Sequence, residues 1–161
     1  MDLFGSSSLK VIPDLSKAIN LEILNLESCR SLVELPSSIQ NLHKLLGLDM
    51  RNCKSLEILP TGFNLNSLDR LIFNRCSKLK TFPEFSTNIS NLSLYRTNIQ
   101  EFPSNLHLEN LVNLIISNKE SDGKQWDGAK DPEVSSSPNS FINTSTKKEI
   151  HCRLLKFTLV C

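Results

Sequence analysis

No run in this sequence approaches the roughly 20 consecutive apolar residues that a membrane-spanning helix needs. The longest late stretch, Leu154 to Val160, is short and interrupted by Lys156. The opening residues, Met1 to Ser8, hold neither a basic segment nor an apolar core, so they do not read as a secretory signal. A surplus of one charge sign is missing as well: 18 basic against 17 acidic residues leave a formal +1. That balance removes the electrostatic case for nucleic acid or an anionic membrane as partner. Aromatic residues make up only 6% of the chain and apolar ones 39%, slightly below a typical globular domain. The length of 161 residues suits one domain or part of a larger protein.

Closely spaced cysteines are also lacking. Five cysteines, an odd number, fit a closed disulfide framework poorly. Cys29, Cys53 and Cys76 stand 24 and 23 residues apart, without the short spacings of a zinc knuckle. His43, His107 and His151 are scattered, and no Ser-His-Asp or Cys-His arrangement is visible. No G-x-x-x-x-G-K-[ST] phosphate loop occurs. The expectation is therefore a chain with no enzyme activity, no cofactor and no metal. Asn88-Ile-Ser90, Asn91-Leu-Ser93 and Asn143-Thr-Ser145 match the glycosylation sequon, but without a secretory signal they read as coincidence.

The cysteine spacing instead marks a repeat. Leu21-Glu-Ile-Leu-Asn-Leu-Glu-Ser-Cys29, Leu45-Leu-Gly-Leu-Asp-Met-Arg-Asn-Cys53, Leu68-Asp-Arg-Leu-Ile-Phe-Asn-Arg-Cys76 and Ile89-Ser-Asn-Leu-Ser-Leu-Tyr-Arg-Thr97 stack line on line. A fifth line begins at Leu111-Val-Asn-Leu-Ile-Ile116. Starts at 21, 45, 68, 89 and 111 give steps of 24, 23, 21 and 22, within the leucine-rich-repeat range of about 20–29 residues. A second motif recurs in the same phase: Leu32-Val-Glu-Leu-Pro36, Leu56-Glu-Ile-Leu-Pro60, Leu79-Lys-Thr-Phe-Pro83 and Ile99-Gln-Glu-Phe-Pro103, with an earlier copy, Leu9-Lys-Val-Ile-Pro13, that has no strand of its own before it.

Alternation along each line places Leu24 and Leu26 inward and Ile23, Asn25 and Glu27 outward on a short strand. The expected fold is an α/β-type repeat solenoid, a leucine-rich-repeat arc. Its short parallel strands form the concave face, and its convex side is irregular, 3-10 or briefly helical. The recurrent proline removes a backbone donor and fixes φ, which suits an irregular convex side better than a second sheet. Ile39, Phe63 and Leu106 are expected to face inward there. The three ladder cysteines are expected to be buried and structural, their thiols set against turn backbone. Residues 1–20 form a partial leading repeat without a recognisable cap, as in a piece of a longer protein. Residues 21–118 hold the repeats, and 119–161 read as a loop or disordered tail rich in serine, proline and asparagine.

The outward positions build columns across neighbouring strands. Glu27, Arg51, Asn74 and Tyr95 form one, and Ser28, Asn52, Arg75 and Arg96 form the next, with Asp49 expected beside Arg70. Arg and Tyr are the side chains that most often anchor protein interfaces. Asp49, Arg51, Arg70, Asn74, Arg75, Tyr95 and Arg96 are therefore the candidate partner-facing residues. The bland alternative is that pairs such as Glu27 with Arg51 only solubilise the sheet, at about 0.2–1 kcal/mol each.

The line L-x-x-L-x-L-x-x-C followed by L-x-x-L-P-S-S-I-x-x-L resembles the repeat region of plant nucleotide-binding leucine-rich-repeat immune receptors. The likeness is greatest to those carrying a Toll/interleukin-receptor-like domain. It is carried by Leu32 to Leu42, Cys76 to Leu94, Thr97 to Ser104 and Lys124-Gln-Trp-Asp-Gly128, and covers about residues 9–130. The resemblance implies an intracellular binding module, in cytoplasm or nucleus, that contacts a pathogen effector, a guarded host protein or other domains of the same receptor. The signalling and nucleotide-binding domains of such receptors are absent here, which implies a fragment or truncated member. The competing expectation is a piece of an extracellular leucine-rich-repeat receptor or inhibitor, but the glycine-containing L-x-G-x-[IL]-P line of that group is missing.

Overall fold

In the computed structural model, residues 1–60, 65–83, 88–99, 102, 108, 110–117 and 141–143 are described. Five strands follow one another as parallel neighbours: β1 (Ile23–Asn25), β2 (Gly47–Asp49), β3 (Arg70–Ile72), β4 (Asn91–Tyr95) and β5 (Asn113–Ser117). Ile23 pairs with Gly47, Gly47 with Arg70, Arg70 with Asn91, and Asn91 with Asn113. The pairing therefore advances by the same 24, 23, 21 and 22 residues that separate the repeat starts. Strand pairing is sequence periodicity made visible.

The reason is burial. Leu24, Leu48, Leu71, Leu92 and Leu114 form one inward column, and Leu26, Met50, Phe73 and Leu94 the next, all at most 2% exposed. A slip of one residue would turn both columns to water, and each fully buried aliphatic side chain contributes about 1.5–3 kcal/mol. Leu45, Leu68, Ile89 and Leu111 close the core at the strand entries. Leu32, Leu56, Leu79 and Ile99 close it beyond the turn. Aromatic packing thickens it late in the chain: Phe73 meets Phe82 edge to face at 6.4 Å, and Phe82 meets Phe102 at 5.2 Å.

The opposite side of the solenoid is irregular, as the prolines require. Among the described residues it carries one 3-10 helix, Ser37–Asn41, which buries Ile39, and an isolated parallel bridge between Glu34 and Ile58. Phe63 and Leu106 lie outside the described residues.

Two features at the ends differ from expectation. The leading copy at Leu9 does have a strand-like rung before it. Leu3 N–H donates to Asn25 O (2.8 Å), Asn25 N–H donates to Met1 O (3.0 Å), and Asp2 bridges Asn25 in parallel. The rung begins in mid-line, so the recurring pattern that marks the other strands is cut short there. Within the tail, β6 (Phe141–Asn143) pairs antiparallel with Asn113–Ile115 of β5, where a loop was expected. An unpaired strand edge offers free donors and acceptors to any short apolar segment that reaches it.

Candidate functional site

The open face of the sheet is built from the residues between the buried ones. The strand-end turn shapes its rim. Ser28, Asn52, Arg75 and Arg96, the eighth residue of each line, all adopt left-handed backbone with φ of 62, 60, 62 and 55°. Gly5 occupies the same place in the leading rung with φ 70°. This conformation lets the residue's N–H reach the next repeat: Ser28 to Arg51 O (2.7 Å), Asn52 to Asn74 O (2.8 Å) and Arg75 to Tyr95 O (2.7 Å). The column containing Arg75 and Arg96 is thus a row of turns, not a strand row. Glycine at 5 and asparagine at 52, the types that tolerate this conformation best, were the available clue.

Behind each turn sits the ninth residue. Cys53 Sγ donates to Leu26 O (3.1 Å), Cys76 Sγ to Met50 O (3.0 Å) and Cys29 Sγ to Leu3 O (3.2 Å), each reaching the preceding repeat. Thr97 in the same place turns back to Leu94 O of its own repeat (3.2 Å). Burial pushes the Cys53 thiol up to about 12 and raises Cys29 and Cys76 as well, so the thiolate is disfavoured at all three. These are structural thiols.

Across the strands, Arg51 is the hub of the acidic end. Its guanidinium lies 2.8 Å from Glu27 and 2.8 Å from Asp49, with all three side chains less than one-fifth exposed. The cross-strand pair Glu27–Arg51 thus forms as the column predicts. Asp49 and Arg70 do not become partners. Asp49 stands in register with Ile72, while Arg70 stands in register with Gly47. The Asp49 carboxylate turns instead along its own strand to Arg51, accepting from both its Nε (2.9 Å) and its backbone N–H (3.0 Å). Two residues separate the two rows, and a partner on the same strand wins over one across a gap.

The remaining candidates converge at the strand ends of β3 and β4. Asn74 Oδ1 accepts from Ser93 Oγ (2.6 Å) and from Tyr95 N–H (3.0 Å), so this amide braces the turn. The Arg96 guanidinium lies over the Tyr95 ring at 5.2 Å, and its Nε is buried without a hydrogen-bond partner. Arg75 sits beside them through its bond to Tyr95 O.

The repeat pattern gives no sign of a depression of about 320 Å³ around Gly47, walled by Ile23, Leu46, Asp49, Asp69 and Arg70. Ile23 is 54% and Leu46 46% exposed, although both are large and aliphatic. A Cβ on Gly47 would come within 2.9 Å of Ile23 Cδ1, so Ile23 leans over the bare backbone of Gly47 and a side chain there would have to displace it. Among the described residues, no group of three His, Cys, Asp or Glu side chains is placed to hold a metal.

The chain is similar to stretches of plant proteins. It is 48% identical over 118 residues to the disease resistance protein RML1A of Arabidopsis thaliana, covering 73% of this chain and 12% of that protein. It is 57% identical over 116 residues to the disease resistance protein RPS6 of the same plant, covering 72% and 10%. The protein SUPPRESSOR OF npr1-1, CONSTITUTIVE 1, also of Arabidopsis thaliana, matches at 53% over 110 residues, covering 68% and 8%. The chain therefore spans about a tenth of the length of these curated relatives. No protein-family model and no solved structure matches it.

Proposed function

The chain belongs to the plant TIR-type nucleotide-binding leucine-rich-repeat disease resistance family, and from that premise we propose that it is a protein-binding repeat module of an intracellular immune receptor. In this role it is no enzyme and needs no cofactor. It works in the cytoplasm or nucleus, and its sheet face meets a pathogen effector, a guarded host protein or another part of the same receptor. The relatives' names support a defence role. The observation that carries the binding role is the open face itself. There, half-exposed aliphatics ring a hollow at Gly47, and Tyr95 and Arg96 stack at the strand ends. Exposed apolar surface beside aromatic and arginine anchors is the chemistry of protein interfaces.

Proximity labelling of the tagged 161-residue chain in plant leaf cells tests this. The wild-type chain is expected to mark a reproducible set of cytosolic or nuclear proteins. A variant with Ile23→Asp and Leu46→Asp is expected to lose that set while keeping its circular dichroism spectrum. An unchanged set, or one drawn from the secretory pathway, would overturn the proposal.

A further inference from the structure

We infer that the open face is electrically graded and that its β3–β4 half takes an acidic segment of a protein partner, anchored by Arg75 and Arg96. Resting on the protein-binding reading of the same face, this adds a chemistry and a direction to it. Across the second to eighth positions of each line, the first repeat holds Glu22 and Glu27, a charge of −2. In the second, Asp49 and Arg51 cancel. In the third, Asp69 is outweighed by Arg70 and Arg75, giving +1, and in the fourth Arg96 stands alone at +1. The sign reverses within four strands.

The two halves also differ in how their charges are spent. At the acidic end, Arg51 already bridges Glu27 and Asp49. At the basic end, Asp69 accepts the Ser90 hydroxyl, and Arg70 and Arg75 make no ion pair among the described residues. Arg96 leaves its buried Nε unsatisfied. The cationic surplus thus has no carboxylate partner among the described residues, and arginine meets carboxylates with two parallel hydrogen bonds.

The backbone supplies an independent observation. At the left-handed turn the leading rung uses glycine, the first repeat serine and the second asparagine, all short side chains, whereas the third and fourth use arginine. Arginine contributes nothing to that conformation, and positions where local preference is set aside cluster at functional sites. Neighbouring strands lie about 4.8 Å apart, and same-side residues of an extended peptide about 6.7 Å apart. Two alternate acidic side chains can thus span the distance between the two arginines, next to the Tyr95 ring on which Arg96 is stacked. A uniform polyanion such as nucleic acid gains on this half but is repelled by Glu22 and Glu27. The gradient selects a short acidic segment.

The test uses fluorescence anisotropy on the full chain, with three probes: a labelled peptide alternating glutamate and threonine, its lysine counterpart, and oligothymidylate of similar length. The glutamate peptide is expected to bind saturably and at least about tenfold tighter than the others. Arg75→Asn with Arg96→Asn should lower its affinity by about tenfold or more without lowering the melting temperature, because asparagine suits the turn. Arg75→Lys with Arg96→Lys should retain part of the binding. Equal binding by the asparagine variant, or tighter binding of oligothymidylate, overturns the inference. If the Ile23/Leu46 variant loses its labelled neighbours in cells and the asparagine variant keeps them all, the protein-binding proposal stands and this inference falls.

Discussion

Truncating Leu48 to alanine probes the solenoid at its centre. Leu48 is 1% exposed and stands in register between Leu24 and Leu71, both fully buried. Leu→Ala in such a site costs the lost transfer energy plus the cavity left behind, about 2–5 kcal/mol in total. The upper part of that range applies here, because the backbone cannot close the gap. On either side, Leu26 N–H holds Asp49 O at 2.8 Å and Met50 N–H holds Ile72 O at 2.9 Å, which keeps the strands at their spacing. In a stacked array each unit touches only its neighbours, so one central defect weakens two interfaces at once. Against a total stability of about 5–15 kcal/mol, a loss of about 3–4 kcal/mol is severe. Urea unfolding followed by circular dichroism should show a much lower midpoint at unchanged slope, and amides of β1 to β3 should lose exchange protection together. Ile23→Ala, one residue outward on β1 and 54% exposed, should cost less than about 1 kcal/mol. If both substitutions cost the same, or Leu48→Ala costs under about 1 kcal/mol, the inward–outward assignment is refuted.

Further outcomes follow from the turns, the thiols and the charges. Arg75→Val puts a β-branched residue at φ 62° and should destabilise by about 1–2 kcal/mol, seen as a melting temperature lower by about 3–6 °C, whereas Arg75→Gly should not lower it. Cys53 loses its proton near 9 when unfolded but only near about 12 when folded, so its stabilising contribution is whole below about pH 9 and drains away as pH rises toward 12. Chemical denaturation at stepped alkaline pH should trace that decline, and iodoacetamide at pH ~8 should modify Cys29, Cys53 and Cys76 only after unfolding, as read by peptide mass mapping. Arg51→Gln leaves Glu27 and Asp49 facing each other and should cost about 1–2 kcal/mol, a loss that shrinks when Glu27→Gln is added. The exposed pair Glu57–Lys78, 2.6 Å apart, should leave the melting temperature unmoved when either partner is neutralised.

Much of the architecture was legible because it is a periodic property. Leucines at fixed offsets can be buried together only if successive lines lie side by side, so spacing along the chain dictated strand order, register and the inward column. Burial of Cys29, Cys53 and Cys76 followed from the same offset. Individual choices of partner were not legible. Whether Asp49 turns along its strand to Arg51 or across to Arg70 depends on a displacement of two residues, which the repeat pattern alone does not resolve. The direction of the cysteine thiols, each to the carbonyl of the preceding repeat, depends on how far the turn carries the ninth residue. That reach is fixed by the left-handed eighth residue, whose identity varies from Gly5 through Ser28 and Asn52 to Arg75.

What the amino-acid order determines alone is thus the frame: a stack of inward aliphatics with an outward row available for contact. What only the folded chain decides is the relief and charge of that row. The hollow at Gly47 needs Ile23 on one neighbouring strand and Arg70 on the other. The reversal from Glu27 to Arg96 becomes a gradient only when residues some seventy positions apart are brought within a few strand widths. Both arise from neighbours joined by lateral hydrogen bonds rather than by the chain, and that lateral order exists only once the strands have paired.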